Sequence, residues 1–454
     1  MSTKLRSLGF GIVGTCLLAA CGGGGSGAKS QPAGCTVAAQ KQAVADLMRE
    51  WYFFNDEAEQ QQKYAGLDLT QFASPAALLT FLRYRPERFD RDFSFLTTPA
   101  VDQQFFGAGQ FVGFGFGSKF ADAPVNSDLR LTQVFGESPA AAAGLTRGQR
   151  VLAIDGRSIA EIQQAEGLGA ALGPDTIGLS RTFSMRRPDG SEFSVAIAKA
   201  LVTIDPVPFV TTFTVDADVI AYLDMRTFVA TADAELEAAF ADFLAASANA
   251  LVVDLRYNGG GLVATAERLA DLIGGFIAAG QIQSQTRFNS AKSNLDSVTL
   301  FAQQANSLDL LQQVVFITTG SSASASELII NALEPHTVVG LIGAPTFGKP
   351  VGQSGLPYCG NQFLLRALTF ETVNALGAGQ YYDGLEVDCS AGDELERHLG
   401  DPQEASLAAA LDLIQTGSCP VAAAPAKPSA ATLRLVDVPL GAAATSARRH
   451  AGAF

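Results

Sequence analysis

Two side chains stand out for their chemistry, Ser324 and Lys349, a serine that opens a small-residue helix and a lysine in a glycine-flanked turn. A neutral lysine amine held beside a serine hydroxyl can take its proton and make an acyl-transfer nucleophile without histidine. The serine lies in Thr319-Gly320-Ser321-Ser322-Ala323-Ser324-Ala325-Ser326-Glu327, which joins an apolar run to a helical one. A helix N-terminus offers free amides and a positive field, so an oxyanion forming there is stabilised. Serines are also preferred helix caps, and this segment alone reads equally well as a cap. The lysine lies in Gly343 to Gln353. A lone lysine is ordinarily a solvated surface charge. This one follows the apolar run 337–342 and is hemmed by Gly348, Pro350 and Phe347 instead of other charges, surroundings that desolvate an ammonium and lower its pKa.

A third segment, Arg256-Tyr257-Asn258-Gly259-Gly260-Gly261-Leu262, follows the apolar run Leu251 to Leu255 and precedes a helical pattern. Glycines at a strand-to-helix turn let a backbone N–H approach a ligand with no Cβ in the way. Three contiguous glycines do not make the spaced dinucleotide fingerprint, and no Gly-Lys-Ser/Thr phosphate loop occurs, so an oxyanion-hole amide is the better use. A β-lactamase-type serine hydrolase needs its lysine three residues after the serine, where this chain has Glu327. A Ser-His-Asp esterase built on His336 lacks the Gly-x-Ser-x-Gly elbow around Ser324.

Several elements must position these groups. From about Pro206 to Thr416 apolar strands alternate with amphipathic helices. Val219 to Met225, Leu251 to Leu255 and Val314 to Thr318 read as buried strands; Ala232 to Ala246, Val263 to Ile273 and Ser324 to Leu333 read as helices. This rhythm predicts an α/β core with a mixed, largely parallel sheet covered by helices. Residues 36–98 read as helical, with Val44, Leu47 and Trp51 on one face and Ser74-Pro75 capping a helix over Ala76 to Tyr84. The aromatic run Trp51 to Phe54 reads as packing. Residues 105–200 hold short apolar runs and many glycines, beginning with Gly113-Phe114-Gly115-Phe116 and including a strand over Val151 to Ile154 closed by Asp155-Gly156.

With 454 residues, 48% hydrophobic and 17% charged, the chain can bury a large core in two or three domains. The formal charge of −14 disfavours nucleic acid or an anionic membrane surface as partner. Lys4 and Arg6 precede an apolar stretch over 8–20, as in an export signal, and Leu18-Ala19-Ala20-Cys21 resembles a bacterial lipobox whose cysteine carries lipid. Residues 1–21 would be a lipoprotein signal, 22–34 a flexible tether and 420–454 a disordered Ala/Pro-rich tail. The lipid anchor would be the sole membrane contact, and Gly22 fits delivery to the periplasmic face of the outer membrane. Removal of Cys16 and lipidation of Cys21 leave Cys35, Cys359, Cys389 and Cys419. In an oxidising compartment these allow three pairings, of which Cys359 with Cys389 and Cys35 with Cys419 is favoured here. Their spacing and the scattered His336, His398 and His450 give no metal site.

Taken together, Asp254-Leu255-Arg256-Tyr257-Asn258-Gly259-Gly260-Gly261, Ser324-Ala325-Ser326-Glu327 and Gly348-Lys349 with Gln353 four residues on resemble the carboxyl-terminal-processing, or tail-specific, family of serine/lysine peptidases. Pro350 and Gly259 depart from residues common in that family. Residues 105–200, through Glu137-Ser138-Pro139, Ala143-Gly144-Leu145 and Gly148, resemble the PDZ domain such proteases carry. The resemblance implies a ClpP/crotonase-like core over 201–419, a PDZ-like β domain before it, and a small helical domain over 35–104. It implies Ser324 as nucleophile, Lys349 as general base, Gln353 as the group orienting the lysine, and Gly260 and Ala325 as oxyanion-hole amides. Gly113, Phe114, Gly115 and Phe116 would form the carboxylate-binding loop for substrates with exposed C-terminal tails. No metal or cofactor is implied. A non-catalytic lipid or peptide-tail binder of the same fold is the alternative.

Overall fold

A computed structural model of the chain describes residues 34–122 and 125–419. The expected signal, the lipidated Cys21, most of the tether and the C-terminal tail therefore lie outside the described residues.

The central sheet has six strands, in the order Phe209–Val215, Asp218–Asp224, Ala250–Asp254, Gln313–Thr318, Val338–Gly343 and Cys389–Ser390. The first pair is antiparallel and every later pair is parallel. Helices Ala232–Ala245, Val263–Gly274 and Ala325–Leu333 bury Leu236, Phe240, Leu269, Ile273, Ile329 and Leu333 in one core with Leu251, Val253, Val314 and Phe316 from the strands. Helix Ala405–Thr416 covers the opposite face through Leu407, Ala410 and Ile414. Burial on both faces is why the central strands 250–254 and 313–318 are near-continuous apolar runs and not alternating. Three loops leave the carboxyl ends of the adjacent strands 250–254, 313–318 and 338–343, where open α/β sheets gather their ligands.

The third of these loops runs into a second, antiparallel sheet that sequence periodicity did not delineate. Its strand Val351–Tyr358 pairs with Phe363–Val373, which in turn pairs with Phe95–Thr97 and Ile282–Phe288; Ser297–Leu300 lies at the edge. The N-terminal helices pack on it. Val37–Trp51 is capped by Thr36, and Pro75–Leu82 by Ser74, ending two residues before the expected Tyr84. Val44, Met48, Leu78 and Leu82 share a core with Val351, Leu356, Leu365 and Leu368, so this helical part has no separate interior. Tyr52 and Phe54 are buried there, Trp51 and Phe53 only partly.

Residues 116–198 form an antiparallel sheet in the order Phe116–Phe120, Leu129–Val134, Arg150–Ile154, Ser180–Arg186 and Glu192–Ala198, around its own core. It is joined to the central fold by the ribbon Gln110–Gly113 with Ala200–Thr203. A buried charge cluster fastens it further. Asp393 accepts from Arg147 at 2.6 Å and also pairs with Lys119, while Arg256 lies 3.4 Å away and binds Asp254 at 2.6 Å and Glu404 at 2.8 Å. Burial pushes the Asp393 carboxyl up, but Lys119, Arg147 and Arg256 overcome this and hold it well below the usual range.

All four expected cysteines are bonded, but in a different pairing, Cys35 with Cys359 and Cys389 with Cys419. The favoured Cys359–Cys389 bridge fails because the two lie in different layers. Cys359 turns the hairpin of the antiparallel sheet beneath the first helix, whereas Cys389 lies on the edge strand of the central sheet, where Cys419 meets it just past the end of the last helix. Peptide mapping of unreduced protein should recover the 35–359 and 389–419 links, and recovery of a 359–389 link would reinstate the discarded pairing. Replacing Cys35 and Cys359 by serine should lower unfolding stability by about 2–4 kcal/mol in a denaturant titration.

Candidate active site

Helix Ala325–Leu333 begins at Ser324, whose backbone adopts φ +56° and ψ −110°, a strained conformation for a residue with a side chain. Such strain persists only where the surroundings over-determine it. Here the loop before the helix is tied to its neighbours. Ser322 Oγ donates to the Leu255 carbonyl at 2.8 Å, Ala323 N to the Asn258 carbonyl at 3.1 Å, and Ser326 Oγ to the same carbonyl at 3.0 Å. Phe347 N donates to the Ser322 carbonyl at 2.9 Å, which draws in the lysine loop.

Glu327 joins the two loops that carry the serine and the lysine. Its Oε2 accepts from Ser324 N and from Lys349 N, each at 2.8 Å, so those two amides lie within twice that distance of each other. Its Oε1 accepts from Gly348 N at 2.6 Å and from Thr346 Oγ1 at 2.5 Å. The side chain is fully buried, and burial raises its pKa against the lowering effect of these four donors. The Ser-x-x-Glu spacing from 324 to 327 is that of a capping box, the one sequence signal for this residue beyond its place in the family motif.

Ser324, Lys349 and Gln353 are 5%, 1% and 0% exposed. Lys349 Nζ donates to Gln353 Oε1 at 2.8 Å and sits 4.7 Å from the Phe93 ring centroid. Gln353 Nε2 donates to the Phe93 carbonyl. Burial lowers the lysine pKa from 10.5 to about 7, opposed by Asp90 and Glu327 and aided by Arg366 and Arg91. An amine with a pKa near 7 exchanges between its charged and neutral forms close to neutrality, with one N–H held by the glutamine, and the neutral form can act as a base.

Gly260 adjoins the serine. A Cβ on it would lie 2.8 Å from the Ala323 carbonyl oxygen, 3.0 Å from Ala325 N and 3.0 Å from Ser324 Cβ, and its φ is +102°. Its own N–H donates to Asn258 Oδ1 at 2.9 Å, while Asn258 Nδ2 donates to the Met225 carbonyl at 2.8 Å. The expected oxyanion amide is therefore engaged by a buried side chain that sequence reasoning did not single out.

The expected tail-binding residues, and the histidine set aside above, lie elsewhere. Phe114 and Phe116 pack edge-on against Phe183 inside the β-rich part, and Gly115, with φ +90°, offers its carbonyl to Phe135 N and Ser138 Oγ. His336 is bonded through Nε2 to the Ile282 carbonyl and rests on Phe301. A cavity of about 430 Å³ opens at the junction of the β-rich part and the core, between Lys119, Phe120, Tyr257, Ser321, Ala344 and Asp393.

The strained serine, the buried lysine and the glycine turn thus lie at adjacent strand ends of an α/β core. Comparison with known proteins gives the family. Residues 219–388 match the model of peptidase family S41, and residues 39–95 match that of the peptidase S41 N-terminal domain; together the two span half of the chain. These matches place the chain in peptidase family S41. It is similar to a carboxy-terminal-processing protease of Bartonella bacilliformis, 28% identical over 241 residues, or 51% of this chain and 52% of that protein. The chain spans about half the length of the curated relatives it matches. Its fold superposes on a candidate S41 protease of Bacteroides fragilis NCTC 9343 with TM-score 0.61 at 21% identity, covering 82% of this chain and 97% of that one. A photosystem II D1 C-terminal processing protease superposes with TM-score 0.51 at 18% identity, covering 79% and 94%. At these identities the superpositions speak for the fold alone.

Gly260→Ala should destabilise the chain by about 1–3 kcal/mol, because it meets backbone on two sides at a φ that disfavours a Cβ. A denaturant midpoint equal to that of the unaltered protein would show that the turn is looser than described.

Proposed function

We propose that this protein is a serine endopeptidase in which Ser324 is the nucleophile and Lys349 the general base. Lys349 takes the Ser324 hydroxyl proton, and the alkoxide attacks a peptide carbonyl carbon. The oxyanion of the tetrahedral intermediate is met by the amides of Gly260 and Ala325, for which Asn258 Oδ1 must give up the Gly260 N–H. The protonated lysine returns its proton to the departing amine. Water, deprotonated by the same lysine, then releases the acyl group. The observation that carries this reading is the buried lysine, oriented by Gln353, whose amide shares one carboxylate oxygen with the amide of Ser324.

The substrates in this reading are proteins or peptides bearing exposed C-terminal tails, and residues 105–200 act as a PDZ-like tail reader. Strand Phe116–Phe120 lies at the edge of its sheet, directly after Gly113-Phe114-Gly115-Phe116, as strand addition requires. The two Phe side chains are structural, which leaves backbone N–H groups as the carboxylate ligands. A tethered tail raises the local concentration of the scissile bond and needs no deep specificity pocket. Delivery to the periplasmic face of the outer membrane through Cys21 belongs to the same proposal, supported by two disulfides that suit an oxidising compartment.

Ser324→Ala should lower cleavage of casein or a tagged peptide by roughly a thousandfold or more, read by mass spectrometry. Cleavage unchanged by that substitution overturns the assignment. Because the lysine works only as the neutral amine, kcat/KM should rise with pH through about 7 and be lost below it. Amidating the C-terminus of a tailed substrate should raise its KM several-fold, by roughly the value of a charge-assisted hydrogen bond, with no effect on an untailed peptide. Equal KM values for the free and amidated forms would remove the tail reader.

A further inference from the structure

The residues that hold the lysine come from outside the core that bears the serine. Segment 90–94 belongs to the N-terminal helical part, yet it lies against the lysine loop, more than 250 positions away in sequence. Arg91 Nη2 donates to the carbonyls of Phe347 at 3.0 Å and Gly348 at 2.5 Å, the two residues before Lys349. Its guanidinium stacks 4.2 Å above the Phe347 ring. The segment is itself anchored. Asp90 accepts from Tyr52 Oη at 2.7 Å and Ser94 N at 2.8 Å, and Ser94 Oγ accepts from Leu368 N at 3.2 Å.

The Phe93 carbonyl decides which end of Gln353 meets the lysine. A carbonyl can only accept, so it must face the Nε2 end, and this turns Oε1 towards Lys349 Nζ. With Oε1 facing it, the amine meets an acceptor for one of its hydrogens. A flipped amide would instead set two donors against it.

We propose that segment Asp90–Ser94 is a working part of the active site, with Arg91 and the Phe93 carbonyl positioning Lys349 and Gln353, so that the base is assembled only when the helical part is docked. The inference rests on the Ser324/Lys349 reading above. The shared core of the N-terminal helices with strand Val351–Tyr358, and the Cys35–Cys359 bridge to the same hairpin, supply that docking. The charged groups around the amine are Asp90 and Arg91 from this segment, Glu327 from the catalytic helix, and Arg366, which is paired with Asp102.

The test uses the full chain and a fluorogenic peptide, with kcat and KM measured against pH for the unaltered protein, Arg91→Gln, Arg91→Lys and Asp90→Asn. Removing the Arg91 cation makes the lysine harder to deprotonate. The acid limb should therefore move upward by roughly half a pH unit, and kcat should fall about tenfold with KM within about twofold. Removing the Asp90 anion should move the limb the other way. Arg91→Lys should return the limb to its place without restoring kcat fully, since the charge is kept and the fork is lost; it also carries the comparison if Arg91→Gln does not fold. Limbs that stay put, or that move in the same direction in Arg91→Gln and Asp90→Asn, overturn the proposal, because mere loss of folded protein scales activity without displacing the profile. Ser324→Ala run alongside separates the two failures: hydrolysis that survives it overturns the serine reading itself.

Discussion

The shared carboxylate of Glu327 is the constraint on which the site depends. One oxygen binds the amides of Ser324 and Lys349, and the other binds Gly348 N and Thr346 Oγ1, so two loops from different strand ends are held at a fixed separation by a single buried side chain. Burying a carboxylate is costly unless its lone pairs are filled, and here four donors fill them. The same group caps the helix that Ser324 begins and helps to hold the positive φ of Ser324. Helix start, serine strain and lysine placement thus all share this one carboxylate.

Electrostatics around the lysine follow from the layers that meet there. The antiparallel sheet and the helical part converge on Nζ, and their apolar packing removes the water that would otherwise keep the ammonium charged. Burial dominates its pKa, while Asp90, Glu327, Arg91 and Arg366 oppose one another around it. The charged groups are more concentrated at the second junction, where Asp393 gathers Lys119, Arg147 and Arg256 beside Tyr257 of the glycine turn. A carboxylate that bridges three cations in a buried place is stable only while all are present, which makes this seam between the β-rich part and the core intolerant of losing any one partner.

Much of the central sheet was legible because its strands are short, apolar and separated by helices of the right length. The expected strand over 251–255 is Ala250–Asp254, and the expected helix over 263–273 is Val263–Gly274. The antiparallel sheet was not legible. Its long strand Phe363–Val373 is buried on both faces at its centre, and Val351–Tyr358 carries two glycines and a proline, so neither shows a period-two alternation. Register there is set by pairing with Phe95–Thr97 and Ile282–Phe288, which lie far away in sequence. The cysteine pairing failed for the same reason, since disulfides follow proximity in space and not order along the chain.

Residue type and spacing determined which groups could react: a serine at a helix start, a lysine among glycine, proline and phenylalanine, a glutamine four residues on, and a glycine turn after an apolar strand. Those are local properties, written wherever the backbone must bend or an N–H must come close. The tertiary structure alone decided that Asn258 occupies the Gly260 amide, that Glu327 spans two loops, and that Arg91 and Phe93 reach the lysine from another part of the chain. Desolvation and hydrogen-bond partnership are properties of surroundings, and surroundings exist only once distant segments have packed together.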